Sequence, residues 1–128
     1  MARLPQWLRF GMGAALFALA AASCLSPTLP LPPPEEPSSM TAGADGTWEV
    51  RGTCLEGAQV VVVNERTGRG GVYLDRESLG RWVVKIDGNA CDVVEATQSL
   101  ANEESGAVRF VLRETVDGLP VDPAACAP

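Results

Sequence analysis

The chain has no histidine among its 128 residues. Without an imidazole it contains neither a Ser-His-Asp triad nor a Cys-His pair, and it offers no histidine ligand for zinc. The sequence also has no CxxC spacing, no GxSxG nucleophile elbow and no glycine-rich phosphate loop opening a helix. Because the common enzyme and metal-site patterns are missing, we predict a non-catalytic protein without a cofactor.

Basic charge is also scarce, with ten Lys and Arg residues against sixteen Asp and Glu. Two of the basic residues, Arg3 and Arg9, precede an apolar N-terminal run, and the chain after that run has eight basic and sixteen acidic residues, a net charge of -8. Nucleic acid and anionic headgroups attract basic surfaces. We therefore predict no nucleic-acid partner.

Long hydrophobic runs are limited to one, the uncharged stretch GMGAALFALAAASC at residues 11–24. A transmembrane helix needs about 20 apolar residues to cross a bilayer core, so this stretch is too short to be a permanent span. The two preceding arginines and the small residues at its end are typical of a secretory signal. We therefore expect an exported protein.

The end of that run, Ala21, Ala22 and Ser23 directly before Cys24, resembles the lipobox of bacterial lipoprotein signals. The resemblance implies that residues 1–23 are a signal peptide and that Cys24 carries lipid, including palmitate-type chains, which anchor the protein to a membrane. Leu25 rather than Asp follows the cysteine, which by the same resemblance favours the outer membrane. The alternative is an ordinary signal-peptidase site near residues 20–23, which would leave a soluble exported protein.

A proline-rich stretch follows, and we expect residues 24–45 to be a lipidated, disordered tether. Prolines stand at positions 27, 30, 32, 33, 34 and 37. Proline favours polyproline II and removes backbone donors, so residues 25–41 are predicted to stay outside any sheet or helix. At roughly 3.1 Å per residue, that stretch would reach about 50 Å.

The body of the chain has strand patterns and no convincing helical period. Six segments rich in β-branched and aromatic residues are separated by glycine-rich or short polar turns, a spacing typical of an all-β domain. The predicted strands are residues 47–53, 58–64, 71–75, 81–86, 92–98 and 107–113.

Alternation within these strands gives one apolar and one charged face. An apolar face must be covered, which predicts two packed sheets: a small antiparallel β-sandwich of six to seven strands over residues 46–114, with residues 115–128 as a tail. The predicted inward residues are Trp48, Val50, Val60, Val62, Trp82, Val84, Ile86, Val94, Ala96, Val108, Phe110 and Leu112.

The order of motifs resembles the immunoglobulin-like and carboxypeptidase-regulatory-like modules of exported bacterial proteins. The motifs are VRGTCLEGAQVVV at 50–62, DxxxxGRWVVKI at 75–86 and CDVVEA at 91–96. They consist of turn glycines and core positions, so the resemblance implies an Ig-like fold and says little about a ligand.

Three cysteines lie beyond Cys24, and an oxidising compartment favours a disulfide between two of them. We predict Cys54–Cys91, since both flank strands of the compact region. Pairing of Cys126 with either of them is the alternative.

Two surface features invite a functional interpretation. The carboxylates of Asp75, Glu77, Asp87 and Asp92 fit solvated turns better than a catalytic pair or a calcium site, and no EF-hand spacing is present. Valines also occupy positions that the alternation predicts to face outward. If these valines cluster, they form an apolar surface of the kind that marks a protein contact. The alternative is that valine is present because it is favoured in strands. The candidate interface residues are Val61, Val63, Val83, Val93 and Val111.

These patterns together predict a membrane-anchored lipoprotein of the cell envelope that presents a non-catalytic Ig-like module to an unknown envelope protein or polysaccharide. One alternative is an accessory subunit of an envelope complex. A secreted carbohydrate-active hydrolase is disfavoured because no clustered catalytic set is present.

Overall fold

A computed structural model describes residues 29–127. This part of the chain is all-β, with two antiparallel sheets of five strands each, which confirms the predicted small β-sandwich. No helix long and apolar enough to cross a membrane occurs in this part. The signal peptide predicted at residues 1–23 and the lipid site predicted at Cys24 lie outside the described residues.

The first sheet has the strand order β10-β9-β1-β2-β5. The second has the order β4-β3-β6-β7, and β8 also pairs with β6. The strands are β1 (Ser39–Ala42), β2 (Thr47–Thr53), β3 (Gln59–Asn64), β4 (Gly70–Leu74), β5 (Arg81–Asp87), β6 (Val93–Leu100), β7 (Glu103–Glu104), β8 (Val108–Val111), β9 (Thr115–Val116) and β10 (Leu119–Pro120).

Six of these strands, β2 to β6 and β8, correspond to the six predicted from sequence. They form where β-branched residues alternate with polar ones, and they end at turns such as Gly57, Gly68 and Gly80, which adopt positive φ angles that other residues rarely adopt. The four additional strands are two to four residues long and carry too little pattern to be read from sequence.

The core lies between the two sheets and follows the predicted alternation. All the predicted inward side chains are buried except Val108, which is half-buried against the core. In the first sheet, Val50 of β2 pairs with Val84 of β5, while their neighbours Glu49 and Lys85 pair on the outer face. Met40 of β1 joins this core at 4% exposure.

The proline-rich stretch packs against the body rather than standing free. Ser39–Ala42 form β1 beside β2, so the expectation that this stretch stays outside the sheets is wrong for these residues. Upstream of β1, Pro34 and Pro37 are buried. Proline lacks a backbone donor, but its ring buries apolar surface and its carbonyl accepts hydrogen bonds, so a polyproline segment can pack on a sandwich without joining a ladder.

The disulfide joins Cys91 to Cys126, with Cα atoms 5.3 Å apart, and Cys54 is a free thiol. The predicted Cys54–Cys91 pair is therefore wrong. Cys54 follows the end of β2, whereas Cys91 lies at the opposite end of the sandwich, where β2 begins. Seven residues of strand span about 23 Å, far beyond the roughly 4.4–6.8 Å between bridged Cα atoms.

Residues 115–127, which belong to the tail predicted at 115–128, are part of the body. β9 and β10 form a hairpin at the edge of the first sheet, turning at Asp117 and Gly118, both at positive φ. The chain then returns to Leu112, where Cys126 meets Cys91. The disulfide thus closes a 35-residue separation.

Candidate functional site

The two ends of the sandwich differ in the loops they carry. One end, the Asp92 end, consists of the turns at residues 43–46, 65–69 and 88–92. The other, the Cys54 end, consists of the loops at residues 54–58, 75–80 and 101–102. Loops grouped at one end of a rigid sandwich are the usual place for a binding surface, and each end is therefore a candidate.

The carboxylate of Asp92, 9% exposed, joins the loops of its end. It accepts two hydrogen bonds from the Arg66 guanidinium, at 2.8 and 2.9 Å. It also accepts the Asn64 side-chain amide at 2.9 Å and the backbone N–H of Asn89 at 2.8 Å. One buried carboxylate therefore connects the β3–β4 turn to the β5–β6 turn through charge-assisted bonds.

A second set of contacts adds the β1–β2 turn to this cluster. The Gly88 N–H donates to the Gly46 carbonyl at 3.1 Å, and the Trp48 indole N–H donates to the Gly88 carbonyl at 3.1 Å. A Cβ at Gly88 would lie 2.6 Å from a methyl carbon of Leu112 and 2.8 Å from the Asn64 amide nitrogen. Gly88 is thus required by close packing, and the three turns form one rigid surface.

Arg66 and the Asn64 amide hold the pKa of Asp92 well below its ordinary value. A depressed carboxyl pKa in the folded state stabilises the fold above the unfolded pKa, about 3.9, and this stabilisation is lost as the pH falls towards the folded pKa.

We expect the free energy of unfolding to decrease below about pH 4. In Asp92→Asn, stability at pH 7 should be lower and this acid dependence weaker, as measured by urea denaturation between pH 7 and pH 2.

The matched control for this prediction is Asp87→Asn. The Asp87 side chain is 59% exposed and lies 3.9 Å from Arg69, so its removal should leave the acid dependence nearly unchanged. An Asp92→Asn variant with the parent's acid dependence would contradict the assigned role of Asp92.

At the Cys54 end, Asp75 is buried and binds its own loop. Burial raises its pKa, but the backbone N–H groups of Gly80, Gly57 and Leu79, at 2.8 to 3.1 Å, outweigh this and lower it. This carboxylate closes the β4–β5 loop onto the β2–β3 loop. Its bonds are all to the chain's own backbone, which is a structural role.

The candidate calcium ligands do not meet. Asp75 and Glu77 lie at the Cys54 end, whereas Asp87 and Asp92 lie at the opposite end. Within residues 29–127, no group of three or more His, Cys, Asp or Glu side chains is placed to hold a metal ion.

The five candidate interface valines are half-buried and do not form one patch. Val83 lies in the first sheet, and the other four lie on the outer face of the second. There, Glu65 and Arg109 form a two-bond ion pair, at 2.6 and 2.7 Å, that crosses β6 from one side to the other. Since this ion pair divides the valine face, the face is not a continuous apolar contact.

The free thiol of Cys54 lies beneath the proline-rich segment. It lines a cleft of about 280 Å³ together with Pro34, Glu35 and Gln98. Burial, and secondarily the charge of Asp75, raises the pKa of this thiol. The thiol is therefore protonated and poorly nucleophilic at neutral pH, which does not fit a catalytic cysteine.

A groove of about 470 Å³ is lined by residues of β2, β4 and β5, among them Arg51, Tyr73 and Arg81. Trp82 also borders it, but its ring faces Gly52 and is only 2% exposed. Of these two aromatic side chains, only the half-buried Tyr73 can offer a ring to a ligand.

The class that these features define is an antiparallel two-sheet sandwich with one end braced by a buried carboxylate and a disulfide. Comparison of the chain with protein-family models, with curated proteins and with solved structures found no match. The similarity to immunoglobulin-like and carboxypeptidase-regulatory-like modules stays an interpretation of the sequence motifs.

The cluster around Asp92 is not evident from the sequence pattern. The pattern suggests a turn residue or a metal ligand at Asp92 and indicates no role for Asn64 or Arg66. The sequence does contain one indication of the cluster. Asn64 directly follows four valines at a position predicted to face the core, and a polar side chain at such a position needs a buried hydrogen-bond partner.

Proposed function

We propose that this protein is an exported lipoprotein, anchored through lipid on Cys24, that displays a non-catalytic β-sandwich at the surface of a membrane of the cell envelope. The observation that carries the proposal is the uncharged run at residues 11–24 with small residues directly before Cys24. The outer membrane is the favoured location, since Leu25 follows the cysteine.

Two features of the body support export. The Cys91–Cys126 bond suits an oxidising compartment, where disulfides persist. The body is also small and relies on this cross-link to hold its last residues, as is common among exported domains.

The Asp92 end supports a role in binding or structural support rather than catalysis. Its three turns are fixed by hydrogen bonds to Asp92 and Gly88, so a partner would meet a preorganised surface. The buried carboxylate is fully engaged by the chain itself and is unavailable as a general acid or base. The proposed partner is an envelope protein or polysaccharide.

Cys24→Ala is expected to abolish incorporation of a labelled fatty acid, because its thiol is the proposed acylation site. The measurement is metabolic labelling. Cys54→Ala is the matched control, because it removes the free thiol of the described body and should label like the parent.

Equal labelling of Cys24→Ala and the parent would contradict the lipoprotein proposal.

An accessory role in an envelope complex is a narrower form of the same proposal. It predicts that purification from detergent-solubilised membranes recovers a defined partner, and that charge reversal at an exposed residue of the Asp92 end, Arg69→Glu, weakens its recovery.

A further inference from the structure

We infer that the proline-rich segment is a short, docked stalk that holds the Cys54 end of the sandwich next to the bilayer and directs the Asp92 end away from it. The inference rests on the proposed lipid anchor at Cys24. The free tether expected from sequence would let the body move farther from the membrane and would leave the orientation of the body unfixed.

The segment is fixed to both sheets before β1 begins. The Gln98 side-chain amide on β6 donates to the Pro32 carbonyl at 2.7 Å, and the Thr53 hydroxyl at the end of β2 donates to Glu35 at 3.2 Å. Further on, the Ser38 N–H donates to the Arg51 carbonyl at 2.9 Å. The segment therefore closes the side of the sandwich between β2 and β6.

The direction of the segment sets the orientation of the body. Pro32 lies beside Gln98, whose side-chain oxygen accepts the Leu55 N–H at 2.9 Å, so the chain enters the body at the Cys54 end. From there it runs antiparallel to β2, with Ser39 opposite Arg51 and Ala42 opposite Trp48. An anchor upstream of Pro32 thus attaches to the Cys54 end.

The covalent length between the anchor and the docked segment is small. Seven residues, 25–31, separate Cys24 from Pro32. Eight residue steps span at most about 29 Å even when fully extended, and about 25 Å as polyproline II. With residues 24–45 free, the reach would be roughly 68 Å.

Surface charge does not hold this end against the bilayer. The exposed carboxylates of Glu56, Glu77 and Glu103 lie at or next to the Cys54 end and outnumber its exposed basic side chains, Arg76 and Arg81. Carboxylates are repelled by anionic headgroups, so the stalk, rather than surface attraction, holds the body in place. The Asp92 end, about one strand length further out, then faces the envelope space.

The test uses the full mature lipoprotein in vesicles of phosphatidylethanolamine and phosphatidylglycerol that contain an acceptor dye on the headgroups. In a Cys54→Ser background, Glu77→Cys places a donor dye at the Cys54 end and Ala44→Cys places one at the Asp92 end. Both positions are exposed. We expect clearly greater energy transfer from position 77 than from position 44.

An undocked variant tests the stalk itself. Pro34→Ser with Pro37→Ser removes the two buried rings, and Pro33→Ser is the matched control because that proline is exposed. Undocking should lower transfer from both positions and reduce the difference between them, while the control should behave as the parent. If circular dichroism shows that the double variant unfolds, an eight-residue Gly/Ser insertion before Leu29 should lower transfer from both positions while preserving their order.

Two outcomes distinguish failure of the docked stalk from failure of the lipid anchor. Protein that floats with the vesicles but transfers equally from positions 77 and 44 would overturn the docked stalk and leave the anchor in place. Protein that does not float would overturn both the anchor and the stalk orientation.

Discussion

Replacing Trp82 by alanine is expected to lower the free energy of unfolding by about 3 to 5 kcal/mol. The Trp82 side chain is 2% exposed near the start of β5, and its indole N–H donates to the Thr53 carbonyl at 3.0 Å. Its ring lies so close to Gly52 that a Cβ there would be 2.7 Å away. Since the backbone is fitted to this ring, the cavity left by alanine would collapse poorly.

Urea denaturation followed by circular dichroism measures this loss. Val72→Ala is a suitable control, because that strand residue is 62% exposed and its truncation should cost well under about 1 kcal/mol. A loss below about 1 kcal/mol for Trp82→Ala would mean that the tryptophan is not the centre of the core.

Removing the disulfide is the change with the second largest expected effect. The double variant Cys91→Ser, Cys126→Ser should lose about 3 to 4 kcal/mol, since the bond closes a 35-residue separation in the unfolded chain. The loss should be accompanied by faster amide exchange around Leu112, whose carbonyl accepts the Cys91 N–H. Urea denaturation and hydrogen exchange are the two measurements.

Cys54→Ser is the control for the disulfide experiment, because it removes a thiol that takes part in no bridge. Its half-buried position predicts only a small effect on stability. A larger loss for Cys54→Ser than for the double variant would contradict the observed pairing and favour a bridge that includes Cys54.

The sandwich could be predicted from sequence because its determinants are local. Alternation in segments such as Arg81–Asp87 fixes which side chains point inward, and glycines at positive φ mark where strands end. The same logic identified Trp48, Trp82 and Phe110 as core residues, and all three are buried.

The docked proline segment could not be predicted in this way. Its composition indicates polyproline II, but whether such a segment stands free depends on what lies beside it. Here two side chains that are distant in sequence hold the segment: Gln98 donates to the Pro32 carbonyl, and Thr53 donates to the Glu35 carboxylate. The contact is a property of the assembled sheets.

The cysteine pairing and the Asp92 cluster share this dependence on the assembled fold. Cys91 and Cys126 meet only because the C-terminal hairpin returns the chain to Leu112. Likewise, Arg66 and Asp92 come from turns 26 residues apart. Residue types alone gave candidates for both features but not their partners.

The central claim is that Cys24 becomes the lipid-bearing first residue of the mature protein. Mass spectrometry of the protein purified from membranes tests it most directly. The account predicts an N-terminal peptide that begins at Cys24 and carries the mass of diacylglycerol on its sulfur. An unmodified N-terminus located after Cys24 would contradict it.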